Sequence, residues 1–454
     1  MIDGLPRPYP THFGQPRFRF SCWLVVNFLP IFCFTLAAQT TEDLPAKYHR
    51  IANNYLVRAK ELQHHYRIDQ RGIAMYASLA DKKRDQPECL VYWDELKGFG
   101  NMLLNSERAA AMQYYLDKGA KKFTKLERTE LAASGRERFR PSKKISPNSL
   151  SGYRIAIDPG HIAGDIEMAK IEQRFVILDL IDGTQISFCE GDLNLTTATL
   201  LKERLEKLGA DVLLTRPKAN TGAIGKKFAQ WRKENLPGIL ARAVASKRIS
   251  AAHRKDLLTK APAAQIYDDY FLPEDLKIRA SIINAYQPDL TVIIHYNGSP
   301  FPRRPWNKPV QENYNMVFMP GAFLARELGS SEARFDFLRM LVLDNLDKSA
   351  KFSKHVLDAF TTTLKVAPIP AKNKIFYLQY NSIFVNTGVY ARNLGLTRLV
   401  NSPLCYGESL YQDNEKEARQ LNLNQGNKKQ ISPRVRQVAE AYYAAVLRYF
   451  GKKP

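Results

Sequence analysis

Ile155-Ala-Ile-Asp-Pro-Gly-His161 is the stretch on which the reading of the chain turns. Tyr153 to Ile157 is mostly apolar and alternates little, the pattern of a strand covered on both faces. Asp158-Pro-Gly then breaks the strand. His161 is thereby presented at a strand's carboxyl end, where open α/β sheets gather their ligands. Val292-Ile-Ile-His-Tyr-Asn297 repeats the arrangement with His295, and Cys189-Glu-Gly-Asp-Leu-Asn-Leu195 places Glu190 at the opening of a helical pattern. The fold class this predicts is α/β, a mostly parallel twisted sheet flanked by helices. A single His after a strand is usually structural. Two of them, with a carboxylate opening a helix, form a donor set that leaves a zinc ion one open position for water. The donors lie 29 and 105 residues apart in the chain, so only a fold can unite them.

Working outward, Arg174 to Leu180 and Thr184 to Cys189 flank Asp182-Gly183, a hairpin signal that delivers Glu190. Leu193, Thr197, Leu201, Leu205 and Leu208 form the buried stripe of the next helix, which Gly209 stops. A strand follows at Asp211 to Leu214. Residues 217–275, 298–313 and 367–395 read as insertions, respectively Lys- and Ala-rich with helices, Pro-rich, and irregular. A helix is expected over Ser349 to Val366. Another starts at Ser432-Pro433, with Val435, Val438, Tyr442, Val446 and Phe450 on its buried face.

Late in the chain comes Pro403-Leu-Cys-Tyr-Gly-Glu408-Ser-Leu-Tyr-Gln-Asp-Asn414. Taken in order, Asp158-Pro-Gly-His161, Glu190, His295-Tyr-Asn297 and Glu408 six residues before Asn414 resemble the zinc-dependent N-acetylmuramoyl-L-alanine amidases of the cell-wall hydrolase type. The resemblance runs over roughly residues 150 to 450, and Leu410-Tyr411 stands where many members carry Gly-Phe. It implies one zinc ion held by His161, Glu190 and His295. It also implies hydrolysis of the amide between N-acetylmuramic acid and L-alanine in peptidoglycan. Glu408 would take a proton from water and pass it to the departing amine. Glu167 and Glu172 are reserve ligands should Glu190 serve only its helix N-terminus. Asp158 is expected to support His161 or fix its turn, Asn297 to hold the loop after His295 or touch substrate, and Arg216 to meet an anionic group or a structural partner.

The 454 residues carry 67 basic and 45 acidic side chains, a net charge of +22, and +20 remains without the first 38 residues. Such a surface seeks polyanions. Anionic wall polymers or a membrane surface suit it, and so do the carboxylates of stem peptides. The absence of an aromatic stacking platform among the basic residues argues against dedicated nucleic-acid binding. Arg17 and Arg19 precede an apolar run from Cys22 to Leu36 that ends in Ala37-Ala38. Residues 1–38 therefore read as a signal peptide or N-terminal anchor, placing the protein in the periplasm or cell envelope. Residues 39–134 read as a mainly helical accessory region with a stripe at Ile51, Tyr55, Ala59 and Leu62, and 135–150 as a basic linker. The catalytic domain would span 151–454. Cys189 and Cys405 could pair if the fold joins them, with burial as small apolar groups the plainer expectation. The rival to an enzyme is a non-catalytic peptidoglycan- or polyanion-binding relative. A protein activator has no sequence signal, and the length of 217–275 leaves room for a gate over the site.

Overall fold

Four parallel strands, β4 (Arg154–Pro159), β7 (Asp211–Leu214), β8 (Leu290–Asn297) and β12 (Leu404–Tyr411), lie in the order β12-β8-β4-β7 and make the functional half of a seven-stranded sheet. The other half is β9 (Met316–Met319), β10 (Ser382–Asn386) and β11 (Val389–Arg392), in the order β10-β11-β9, with β9 antiparallel to β12. The computed structural model describes residues 43–133, 149–300, 307–423 and 430–453. The segment 1–38 lies outside these, as do residues 134–148 of the linker. No helix among the described residues is long and apolar enough to cross a membrane.

Both faces of the sheet are covered, as the unalternating strands require. Ile155, Ile157, Val292 and Ile294 pack under the helices Glu190–Lys207, Leu346–Leu364 and Pro433–Tyr449. The opposite face carries Ala156 and Ile293 against the helix Leu272–Tyr286. The expected hairpin forms as β5 (Phe175–Asp179) and β6 (Gln185–Cys189), a separate two-stranded sheet with Phe175 opposite Cys189. Its β6 runs directly into Glu190, the first residue of the long helix.

One expectation needs correcting. Residues 367–395 are not irregular: they hold the short helix Phe376–Tyr380 and strands β10 and β11, which complete the sheet. The runs are four or five residues long, too brief for a periodic signal. The N-terminal region is mainly helical, as expected, and also holds strands. It contains a three-stranded antiparallel sheet, β1 (Tyr66–Ile68), β2 (Gly72–Met75) and β3 (Cys89–Tyr92), beside the helices Leu44–Ile51, Leu96–Asn105 and Arg108–Lys118. The stripe from Ile51 to Leu62 breaks at Val57, which is extended and bridges to Phe323. Tertiary pairing outweighs helix propensity there. From Asp43 onward the chain forms one compact unit. Tyr48, Ile73, Phe99 and Tyr115 share a core with Phe335, Phe337 and Leu341 of the helix Ser331–Val342. Gly321 (φ +143°) makes this attachment possible, since a Cβ there would stand 2.0 Å from the Tyr55 carbonyl oxygen.

Candidate metal centre

β4 and β8 are hydrogen-bonded neighbours, so their carboxyl ends bring His161 and His295 side by side. The two imidazoles meet edge to face with centroids 4.9 Å apart. His161 has φ +57°, a left-handed conformation that turns the loop sharply after Gly160. Gly160 admits no side chain. A Cβ there would lie 2.0 Å from His295 Nε2, so the glycine of the Asp-Pro-Gly-His run is the cradle for the second imidazole.

Glu190 completes the group. Its Oε1 lies 2.9 Å from His295 Nδ1 and 3.5 Å from His161 Nε2. One donor atom from each of the three residues falls within 4.8 Å of the others. Donors bound at about 2.0–2.2 Å around a tetrahedral ion stand about 3.3 Å apart, so the residues present fit a zinc ion with small side-chain adjustments. Protonation fits too. Burial pushes His161 down to about 3, against the opposing pull of Glu190, so its ring is neutral and can donate a lone pair. Burial works to raise Glu190, and the hydrogen bond with His295 Nδ1 helps hold its carboxyl below the ordinary range. Glu190 does not serve its own helix terminus. It also accepts from Tyr296 N at 3.3 Å, Asn194 Nδ2 at 3.4 Å and, on its other oxygen, Gln412 Nε2 at 3.1 Å.

Glu408 sits on β12 directly opposite His295 of β8. Burial first, and the Glu190 charge second, raise its carboxyl well above the usual range. Two residues earlier on the same sheet face, Tyr406 stacks on the His295 ring at 4.3 Å and 9°. An imidazole pair, an ionised carboxylate and a proton-holding carboxyl thus converge at one end of the parallel strands. The model of the N-acetylmuramoyl-L-alanine amidases matches residues 155–446.

The chain belongs to this amidase family. Among solved structures it is similar to the CwlD amidase of Clostridioides difficile in complex with the GerS lipoprotein, at 18% identity and TM-score 0.36, covering 66% of this chain and 98% of that one. A second amidase, from Clostridium difficile 630, gives 17% and 0.35, covering 68% and 100%. The apo Ami1 amidase of Mycobacterium abscessus gives 16% and 0.34, covering 66% and 100%. No curated protein matches the chain. Membership rests on the sequence match, because overlaps this loose fix neither substrate nor partner.

Within this amidase, the remaining candidates fall away from the donor group. Asp158 does not touch the His161 ring. It accepts from the Thr215 hydroxyl and from Arg279 Nη1 at 3.3 Å, and Arg279 Nη2 reaches the His161 carbonyl at 3.4 Å. It fixes the turn, which was one of its two expected roles. Arg216 is only 1% exposed. Its guanidinium donates to the carbonyls of Pro159, Gly160 and Gly191, at 2.9, 2.8 and 3.0 Å, tying the loop to the start of the long helix. Of the two roles open to Arg216, an anionic group or a structural partner, these bonds are of the structural kind. Asn297 is buried and fastens the end of β8: its carbonyl accepts from Gln412 N and its side-chain oxygen from Gly298 N, both at 2.8 Å.

Glu167 is exposed, and Glu172, whose Oε1 lies 3.9 Å from His161 Nδ1, is not part of the compact donor group. Glu172 instead accepts the backbone N–H groups of Ile162 and Ala163, at 2.8 and 2.9 Å, and the Tyr267 hydroxyl. This carboxylate holds the chain leaving His161, a role with no signal in sequence. Gln412, Asn194 and Tyr406 were likewise missed, because nothing local distinguishes them. The helices of residues 217–275 bring Phe228, Trp231, Leu240, Ile266 and Phe271 into one core with Ile162, Ala163, Met168 and Cys189. They pack against the loop that follows His161. Cys189 and Cys405 are free and sit in different cores, so the possible bridge does not form.

Proposed function

We propose that this protein hydrolyses the amide bond between N-acetylmuramic acid and L-alanine in peptidoglycan, using one zinc ion held by His161, Glu190 and His295. The observation that carries the reading is Glu408 in register with His295, beside a donor trio compact enough for one ion. When bound, zinc supplies Lewis acidity toward a carbonyl oxygen and acidifies water. The chain's own residues supply the rest. Glu408 receives a proton on its carboxylate and releases it to the departing amine nitrogen, the second requirement of amide cleavage. Its raised affinity for a proton suits the donating half of that cycle. Gly160 and Tyr406 fix the plane of the His295 ring, and Glu172 and Arg216 fix the loop that carries His161.

A non-catalytic wall-binding relative would have no use for a carboxyl at position 408 with this environment. Peptidoglycan and anionic wall polymers are the partners that the +22 charge suits. Export to the periplasm or envelope is the reading of residues 1–38. The test is digestion of purified peptidoglycan by the wild type and by His161→Ala, with mass analysis of the products. Free stem peptides released by the wild type alone support the proposal. Cleaved sugar linkages, or no cleavage by a zinc-loaded folded protein, refute it.

A further inference from the structure

The buried arginines of this fold are anchored by hydrogen bonds to carboxylates or carbonyls. Arg279 donates to Asp275 and Asp158, Arg434 to Glu417 and the Leu364 carbonyl, and Arg216 to three carbonyls. Arg392, half-buried at the end of β11, is different. Its guanidinium lies 4.3 Å from the ring centroid of Tyr377 and 5.2 Å from that of Phe318. Among the described residues no side chain or carbonyl accepts a hydrogen bond from it, and no carboxylate stands within ion-pair distance. A cation packed against ring faces gives its N–H groups no acceptor, so those donors remain for a ligand. A fork of N–H donors on a cation packed against rings is the chemistry that takes a carboxylate in bidentate fashion.

Its location ties that capacity to the reaction. Phe318 lies opposite Tyr406 across the β9–β12 pair, with ring centroids 6.1 Å apart, and Tyr406 stacks on His295. One run of rings on one sheet face therefore connects the Arg392 slot to the donor trio. Glu408 is two residues from Tyr406 on that face. Under the proposed function the acyl side of the scissile amide is a sugar ether and the amine side is a peptide. Only the peptide side carries carboxylates. We propose that Arg392, packed against the rings of Tyr377 and Phe318, is a specificity residue that binds a carboxylate of the peptide half of the substrate.

This deepens the amidase reading and rests on it. The experiment compares two soluble probes. One is an N-acetylmuramoyl peptide with free carboxylates; the other is the same compound with those groups converted to carboxamides. The wild type is expected to prefer the acid form. Arg392→Met should raise KM for the acid form roughly tenfold to hundredfold, the worth of a charge-assisted bidentate contact, and abolish the preference. Arg392→Lys should retain part of it, because a point charge keeps attraction but loses the fork. Tyr377→Leu, which opens the slot while keeping the cation, should weaken the preference too and serves if Arg392→Met fails to fold. Equal cleavage of both probes by the wild type overturns the proposal and leaves the amidase reading standing. Equal losses on both probes in Arg392→Met, with a shifted pH profile, also overturn it, since Arg392 would then act only through Glu408. Failure of the wild type to release peptides from peptidoglycan removes the amidase reading and this inference together.

Discussion

Two regions flank the chemistry of this molecule by the same means and with different reach. Helices between Phe228 and Phe271 bury Trp231 and Phe271 against the loop that follows His161, and Tyr267 donates to Glu172, which grips Ile162 and Ala163. Residues 43–133 bury Phe99, Tyr115 and others just as completely. Their core, however, is shared with the helix Ser331–Val342 and with Met319 and Ala391 of β9 and β11. The difference is what a buried carboxylate holds: Glu95 of the second region pairs with Lys118 inside that region, whereas Glu172 grips the chain leaving His161. That grip converts apolar packing in the first region into the position of a metal-ligand candidate, while the second region supports strands that carry no donor.

The comparison can be broken by substitution. The largest effect is expected at the reference point common to both regions. Glu408→Gln should lower kcat roughly 10²–10⁴-fold with unchanged zinc content and melting temperature, checked by peptide release and metal analysis. Next come changes that act through the brace. Tyr267→Phe or Glu172→Gln should cost roughly tenfold to hundredfold in zinc affinity, as expected when a group that orients a ligand is lost. A chelator competition would show it. Excising the helices 228–266 separates two ideas: a gate predicts higher activity on soluble fragments, a brace predicts lower activity and weaker zinc binding. In the other region, Phe99→Ala should lose about 3–5 kcal/mol of stability in denaturant titration, yet keep kcat/KM per folded molecule within about twofold. A hundredfold loss there would erase the distinction. At the small end, Lys354→Ala removes an exposed ion pair with Asp358 and should change stability by no more than about 0.5 kcal/mol with activity intact.

Much of the metal centre was legible before any fold was known, and the reason is geometric. Strands covered on both faces are written as short apolar runs, and open α/β sheets present their ligands where such runs end. His161 and His295 each stand at such a point, and Glu190 marks the first turn of a helix whose stripe is plain. The N-terminal sheet escaped because β1, β2 and β3 are three or four residues each. At that length alternation cannot be told from a helical stripe. Strands β10 and β11 escaped for the same reason.

The sequence by itself determined the donor chemistry, the central strands that carry it and the family, since these depend on residue type and local pattern. Only the tertiary structure decided that Arg216 clamps carbonyls, that Glu172 holds the His161 loop and that Arg392 packs against the Tyr377 ring. Those assignments depend on which side chain reaches which backbone group across tens of residues. A side chain's hydrogen-bond partner is set by distance in space, and the chain's order carries no record of it.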